Sequence, residues 1–301
     1  MQEREPVEIV EVGPRDGLQY ESGFFPTEKK IELIHLLSDA GLARIEVTSF
    51  VNPRFVPQLS DAVQVLNGIR KRPGVRYSAL VPNLKGLEKA VLTPVDDMAL
   101  FVSASETHNR KNVGMSVDES LEGFADIAPM ALDAGKTLRG YVVTAFGCPY
   151  EGRIPADRVK HIIDRYVGAG VSEISLGDTT GMANPRTVGE LISEISEGLG
   201  NIRLGVHFHN SRGLGLANAY AALCAGIRVF DSSVGGLGGC PTAVGAMGNI
   251  ATEDLVNMME EMGFVTGVDF DGLMKAVSLV KEVLRTEPAS CTFKQGRPIW
   301  K

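Results

Sequence analysis

Cysteine is scarce in this chain, with four residues in 301, Cys148, Cys224, Cys240 and Cys291. None falls in a C-x-x-C, which excludes a thiolate zinc site and a disulfide framework; they read as intracellular thiols. A block of basic residues is also missing. The balance of 30 Lys and Arg against 37 Asp and Glu gives a formal charge of -7. That balance argues against a general nucleic-acid or anionic-membrane surface, while leaving room for a local basic patch facing a phosphate ligand. No stretch reaches the roughly 18 apolar residues of a membrane span. The opening "MQEREPVEIVE" is charged and lacks the apolar core of a secretory signal, so a cytoplasmic protein with no membrane segment is expected. Linkers, low-complexity tracts and internal repeats are lacking as well.

The chain is 44% hydrophobic and 22% charged, enough apolar residue to bury a substantial core. Short runs rich in Val and Ile alternate with longer segments of helical period. The strands expected are Val7 to Val12, Arg44 to Phe50, Tyr77 to Val81, Asp97 to Ser103, Leu138 to Ala145, Glu173 to Gly177, Leu204 to His209 and Val229 to Val234. Between the first two lies "PTEKKIELIHLLSDAGL", with an apolar stripe on Ile31, Leu33, Ile34, Leu36 and Leu37. Thr27 is the expected helix cap there, and Gly41 the left-handed stop. Strands joined by helices run parallel, and mostly apolar strands are buried on both faces. Eight such units predict an α/β fold, a (β/α)8 TIM barrel over residues 1–275, with a short C-terminal extension over 276–301. An open doubly wound sheet is the alternative. Its first strand would carry a glycine phosphate loop, where this chain has "GPRDGLQ".

In a barrel, chemistry gathers at the carboxyl ends of the strands. Arg15 and Asp16 end the first strand, Glu46 lies in the second, Asp178 ends the sixth, and "HFHN" closes the seventh. After the eighth comes "GGLGGCPTAVGAMGN", with Cys240 and Asn249. His207 and His209, two apart on a strand, project from one face. With the Asp16 carboxylate and the Asn249 amide they make a nitrogen and oxygen donor set suited to Mg, Mn or another divalent ion of octahedral preference. Asn210 reads as a fifth ligand, an orienting neighbour, or a residue that merely closes the strand. Arg15 offers a permanently charged fork of donors for an oxyanion, or else a structural pair with Asp16. Glu46, between Ile45 and Val47, needs a partner to be buried, and Arg15 is the nearest choice. Asp178 serves either the reaction or the cap of the next helix. Cys240 sits among six glycines between positions 235 and 248, a composition that lets backbone approach a ligand or move as a lid. Its thiol is an acid or base candidate, against the common case of an inert buried cysteine. Arg110 and Lys111 are a short basic pair, a candidate contact for a phosphate ligand or simply a solvated face.

"VGPRDGLQ", "IEVTSFVNPRFVPQ", "GYVVTAFGCPYEG", "ISLGDTTG", "HFH" and "GGLGGCPTAVGAMGNIATEDL", in this order, resemble the 3-hydroxy-3-methylglutaryl-coenzyme A lyases up to about residue 270. These lyases are related to the isopropylmalate and citramalate synthases. The resemblance implies a divalent-metal retro-Claisen cleavage of a 3-hydroxyacyl thioester into acetyl-CoA and a keto acid such as acetoacetate, in leucine degradation and ketone-body formation, by a homodimer. By position it implies metal ligation by Asp16, His207, His209 and Asn249, enolate stabilisation by Arg15, proton transfer by Cys240, and support of Arg15 by Glu46. Departures from the family pattern are Asn210 for aspartate, Tyr20 for asparagine, Thr242 for tyrosine, and Thr107 and His108 at usually apolar or aromatic positions. They suggest either a different or more polar C3 substituent in the substrate, or drift at tolerant loops. A Claisen-condensing synthase and a non-catalytic ligand-binding barrel are the rival readings.

Overall fold

The computed structural model describes residues 4–21, 23–240 and 243–300, with the side chains of 240 and 243–247 outside that description. Eight parallel strands close on themselves: β1 Glu8–Glu11, β2 Arg44–Ser49, β3 Arg76–Leu80, β4 Asp97–Ser103, β5 Thr137–Val143, β6 Glu173–Asp178, β7 Arg203–Phe208 and β8 Val229–Ser232. The barrel shuts where Glu8 to Glu11 of β1 pair in register with Val229 to Ser232 of β8. Every expected strand is present, with no end displaced by more than two residues.

Helices return the chain after each strand: α1 Thr27–Asp39, α2 Ala62–Gly68, α3 Leu84–Ala90, α4 Glu106–Val113, α5 Val117–Asp133, α6 Ala156–Gly168, α7 Pro185–Ser196, α8 Gly215–Cys224 and α9 Thr252–Glu261. In α1 the apolar stripe faces the sheet, and Leu33, Ile34 and Leu37 are fully buried, each contributing about 1.5–3 kcal/mol over exposure. Thr27 does not cap this helix. Pro26 holds the cap position, and the Thr27 hydroxyl instead donates to Asp61 Oδ2 at 2.8 Å. Gly41 does end it in the left-handed region, at φ 88°, where an added Cβ would also meet the Gly267 carbonyl oxygen at 2.4 Å.

The main core lies between sheet and helices, as alternation along the strands requires. The lumen differs in character. Two small apolar clusters, Val10, Val12 and Val229, and Leu80, Ala99 and Tyr141, share it with charge. Arg139 Nε donates to Glu173 Oε1 at 2.7 Å, and Arg44 Nη1 reaches the same carboxylate at 2.8 Å. Buried ions of this kind persist only when paired and hydrogen-bonded.

Beyond β8 the chain forms a short antiparallel pair, β9 Gly239–Cys240 and β10 Ala243–Met247. A further helix, α10 Phe270–Leu284, runs across the 275/276 division expected from the sequence and packs against α1. The last helix, α11 Cys291–Gln295, is tied back to α9 because the Asp254 carboxylate accepts from the Ser290 hydroxyl and the Cys291 and Thr292 N–H groups. None of the described helices is long and apolar enough to cross a membrane.

Candidate active site

The strand ends bring the predicted residues to one mouth. A pocket of about 480 Å³ is lined there by Arg15, Asp16, His207 and His209, together with Tyr141, Gly177 and Thr179. β1 stops at Glu11 and the chain turns at once through a single wide helical turn, Gly13–Gly17, which buries Arg15 and Asp16 together. That turn is anchored by Glu11. Its Oε1 accepts the Gly13 and Val234 N–H groups at 2.7 and 2.9 Å, and its Oε2 accepts the Thr252 hydroxyl at 2.6 Å. The carboxyl is fully enclosed, and burial pushes its pKa up to about 7.

Asp16, His207 and His209 present ligand atoms all within 4.8 Å of one another. The two imidazoles come from one face of β7 and its end, with ring centroids 5.2 Å apart. Asn249 sits opposite His209 in an antiparallel bridge, and its Nδ2 donates to Asp16 Oδ2 at 2.8 Å and to the Leu237 carbonyl at 3.1 Å. That leaves Asn249 Oδ1 buried without a partner among the described residues, and His209 Nδ1 likewise. Unpaired buried acceptors are uncommon in native folds. Here they stand beside a carboxylate, so the donor set fits a divalent cation. Burial would raise the Asp16 pKa, but Arg15, then His207 and His209, outweigh it and hold the group at about 2. Burial and the neighbouring His207 keep His209 neutral, at about 4, with a lone pair free for a ligand.

Arg15 is held on two sides. Its Nε donates to Glu46 Oε1, and its Nη1 to Asp16 Oδ1 at 2.5 Å. Burial disfavours its charge, but Glu46 and Asp16 more than offset that and raise its pKa further. Glu46 also accepts the Tyr141 hydroxyl at 3.0 Å, and Arg139 Nη1 donates to that hydroxyl at 2.6 Å. Arg139 Nη2 then reaches Asp231 Oδ1 at 2.7 Å, and Asp231 Oδ2 lies 3.3 Å from His207 Nδ1. His207 Nε2 is 3.8 Å from Asp16 Oδ2, which closes a circuit of seven side chains around the mouth.

Tyr141, Arg139 and Asp231 escaped the sequence reading. Asp231 had a usable signal, since an acid inside the apolar run "VFDS" needs a buried partner just as Glu46 does. Gln19, whose Nε2 donates to Asp16 Oδ1 at 2.9 Å, carried none. Asp178 does not line the pocket. Its Oδ1 accepts the Met182 and Ala183 N–H groups at 2.8 and 3.0 Å, fixing the turn ahead of α7, whose cap is Asn184. Its Oδ2 is buried without a partner, and burial raises its pKa to about 6. Asn210 ties the loop after β7, accepting the Gly215 N–H at 3.0 Å and donating its own N–H to the Gly248 carbonyl at 2.7 Å. Arg110 pairs with Glu106 at 2.8 Å on the solvent side of α4, whereas Lys111 lines the pocket with its Nζ 4.0 Å from the Tyr150 ring centroid. The Cys240 side chain and Thr242 lie outside the described residues.

The chain is similar to known proteins over most of its length. Bovine mitochondrial hydroxymethylglutaryl-CoA lyase is 47% identical over 278 residues, covering 92% of this chain and 86% of that protein. The mouse cytoplasmic 3-hydroxy-3-methylglutaryl-CoA lyase is 48% identical over 272 residues, covering 90% and 79%. The solved HMG-CoA lyase of Bacillus subtilis superposes with a TM-score of 0.95 at 44% identity, over 98% of this chain and 99% of that one. That of Acinetobacter baumannii, in complex with coenzyme A and 3-methylmalate, gives 0.93 at 43% identity, over 98% of each. A sequence model of the HMGL-like family matches residues 6–280, and the chain belongs to that family.

Proposed function

We propose that this protein is a carbon–carbon lyase that cleaves 3-hydroxy-3-methylglutaryl-CoA, or a closely related 3-hydroxyacyl-CoA, to acetyl-CoA and a keto acid such as acetoacetate. The observation that carries the reading is the meeting of a buried, permanently charged guanidinium with the Asp16, His207 and His209 group at one end of one pocket. The relatives' names and the coenzyme A in the Acinetobacter complex support an acyl-CoA substrate.

Cleavage between C2 and C3 requires that the tertiary hydroxyl lose its proton and that the C2–C3 electron pair pass into the thioester as an enolate. Asp16, His207, His209 and Asn249 would hold a divalent cation, Mg or Mn by the character of the donors, which would supply Lewis acidity toward the tertiary hydroxyl. Asp231 fixes the ring of His207, so that Nε2 is turned toward Asp16. Glu46 and Asp16 occupy Nε and Nη1 of Arg15, and no described residue hydrogen-bonds its Nη2. That end of the fork is the donor for the thioester oxygen as it becomes an enolate, a pre-set electrostatic contact. Cys240, by its place in the family motif, gives a proton to C2 of the enolate, and the proton released from the C3 hydroxyl restores the thiol, so none is gained or lost overall. Asp178 is given a positioning role at the end of the sixth strand, and Lys111 a contact with the carrier's phosphates. A cytoplasmic homodimer acting in leucine degradation and ketone-body formation is the context proposed, with the cytoplasmic mouse relative as support for the compartment.

The test is acetyl-CoA release from hydroxymethylglutaryl-CoA and from a panel of 3-hydroxyacyl-CoA esters, with Mg or Mn and a chelator control. Chelator-sensitive release is expected. No release from any ester, with free CoA formed from an acyl-CoA plus a keto acid, would replace the lyase by a condensing synthase.

A further inference from the structure

The first turn of α4 carries a histidine that the reaction above leaves without a task. His108 is 8% exposed and lines the same pocket as Arg15, Asp16, His207 and His209. It stands on the far wall, since in the closed order of strands β4 lies three places from β1 and three from β7. Its backbone is fixed because its N–H donates to the capping Ser105 hydroxyl at 3.2 Å. The same lining includes Leu80, Phe101 and Val143 from the ends of β3, β4 and β5, and Lys111 and Asn112 from α4 itself.

Neither ring nitrogen of His108 is hydrogen-bonded to a described residue, and Nδ1 is closed off from solvent without a partner. Burial lowers the pKa of the ring, so it is neutral near pH 7 and offers one N–H and one lone pair. A buried polar group left unpaired costs about 1–3 kcal/mol. In the wall of a ligand pocket, such a group points to the ligand as its partner. An aromatic side chain would preserve the shape of this wall, so what histidine adds is the capacity for a hydrogen bond.

C3 of the proposed substrate is tetrahedral. With its hydroxyl at the Asp16, His207 and His209 group, three branches remain on C3, and the β4 side with His108 is within the same pocket for one of them to face. We propose that His108 is a specificity-determining residue that hydrogen-bonds a polar group on the C3 branch, selecting 3-hydroxyacyl thioesters that carry a hydroxyl or carboxyl where hydroxymethylglutaryl-CoA has its methyl group. This rests on the cleavage reaction proposed above. Sites built to hydrogen-bond a substrate group discriminate far more strongly than apolar ones.

The experiment compares kcat/KM for hydroxymethylglutaryl-CoA and for its 3-hydroxymethyl analogue, using wild type, His108→Phe and His108→Gln. The readout is the ratio between the two esters, which a loss of folded protein does not move. Wild type is expected to favour the hydroxymethyl ester at least about tenfold, His108→Phe to erase that preference, and His108→Gln to retain part of it. A wild-type preference for the methyl ester, or a ratio within threefold of wild type in both variants, overturns the role of His108 alone. Absence of acetyl-CoA release from either ester overturns the cleavage reading and the His108 assignment with it.

Discussion

His207 Nδ1 lies 3.3 Å from Asp231 Oδ2, and that contact decides which nitrogen of the ring faces the pocket. Asp231 is itself gripped by Arg139, which outweighs the effect of burial and holds its carboxyl well below the usual range. Asp231→Asn keeps the shape of the side chain but removes the charge that orients and polarises the imidazole. Affinity for Mn should fall about 10–100-fold, as read by isothermal titration calorimetry. Wild-type affinity would show that the ring is oriented by packing alone.

Arg15 should not tolerate lysine. An ammonium is a point charge and cannot hold Glu46 and Asp16 on two fixed donors while presenting a third to substrate. Arg15→Lys is expected to lower kcat by about 10²–10³ while changing KM little, measured as steady-state acetyl-CoA release. A kcat within fivefold of wild type would remove Arg15 from the enolate contact.

Gly238 adopts φ 116°, and a Cβ there would meet Asn249 Nδ2 at 2.8 Å. Asn249 uses that nitrogen to hold Asp16. Gly238→Ala should therefore weaken Mn binding and turnover together by about tenfold or more, the loss expected when a group orienting a ligand is displaced. Intact metal affinity with the substitution in place would mean that the loop absorbs the methyl group without moving Asn249.

Glu253 is fully buried and accepts the Gly235 N–H at 3.1 Å through one oxygen. Burial raises its pKa from 4.5 to about 7. The folded state then binds more protons than the unfolded chain, so this carboxyl lowers stability as pH rises from about 4.5 to about 7, by up to about 3 kcal/mol. Glu253→Gln keeps an acceptor for Gly235 and removes the titration. Its melting temperature should match wild type near pH 5 and exceed it at pH 8, by differential scanning fluorimetry. An equal offset at both pH values would sink the assignment.

The strands were legible because each is a short apolar run between helical segments, and Asp97–Ser103 agrees to the residue. The histidine pair was legible because period-two geometry is local. What binds the site together was not. Arg139 finds Glu173 at a separation of 34 residues and Asp231 at 92, and nothing in linear spacing names such partners. Local rules also failed where tertiary contacts won. Thr27 gives its hydroxyl to Asp61 rather than to its own helix.

The seven-membered circuit constrains how such a protein can change. Each member contacts two neighbours, so one replacement costs two buried groups a partner each. A lineage moving by single substitutions is thereby kept from reworking the reacting end. The opposite wall carries no such obligation, because no described residue hydrogen-bonds the imidazole of His108. Evolutionary novelty in this barrel is channelled to the β4 side, toward the choice of molecule and away from the bond that is broken.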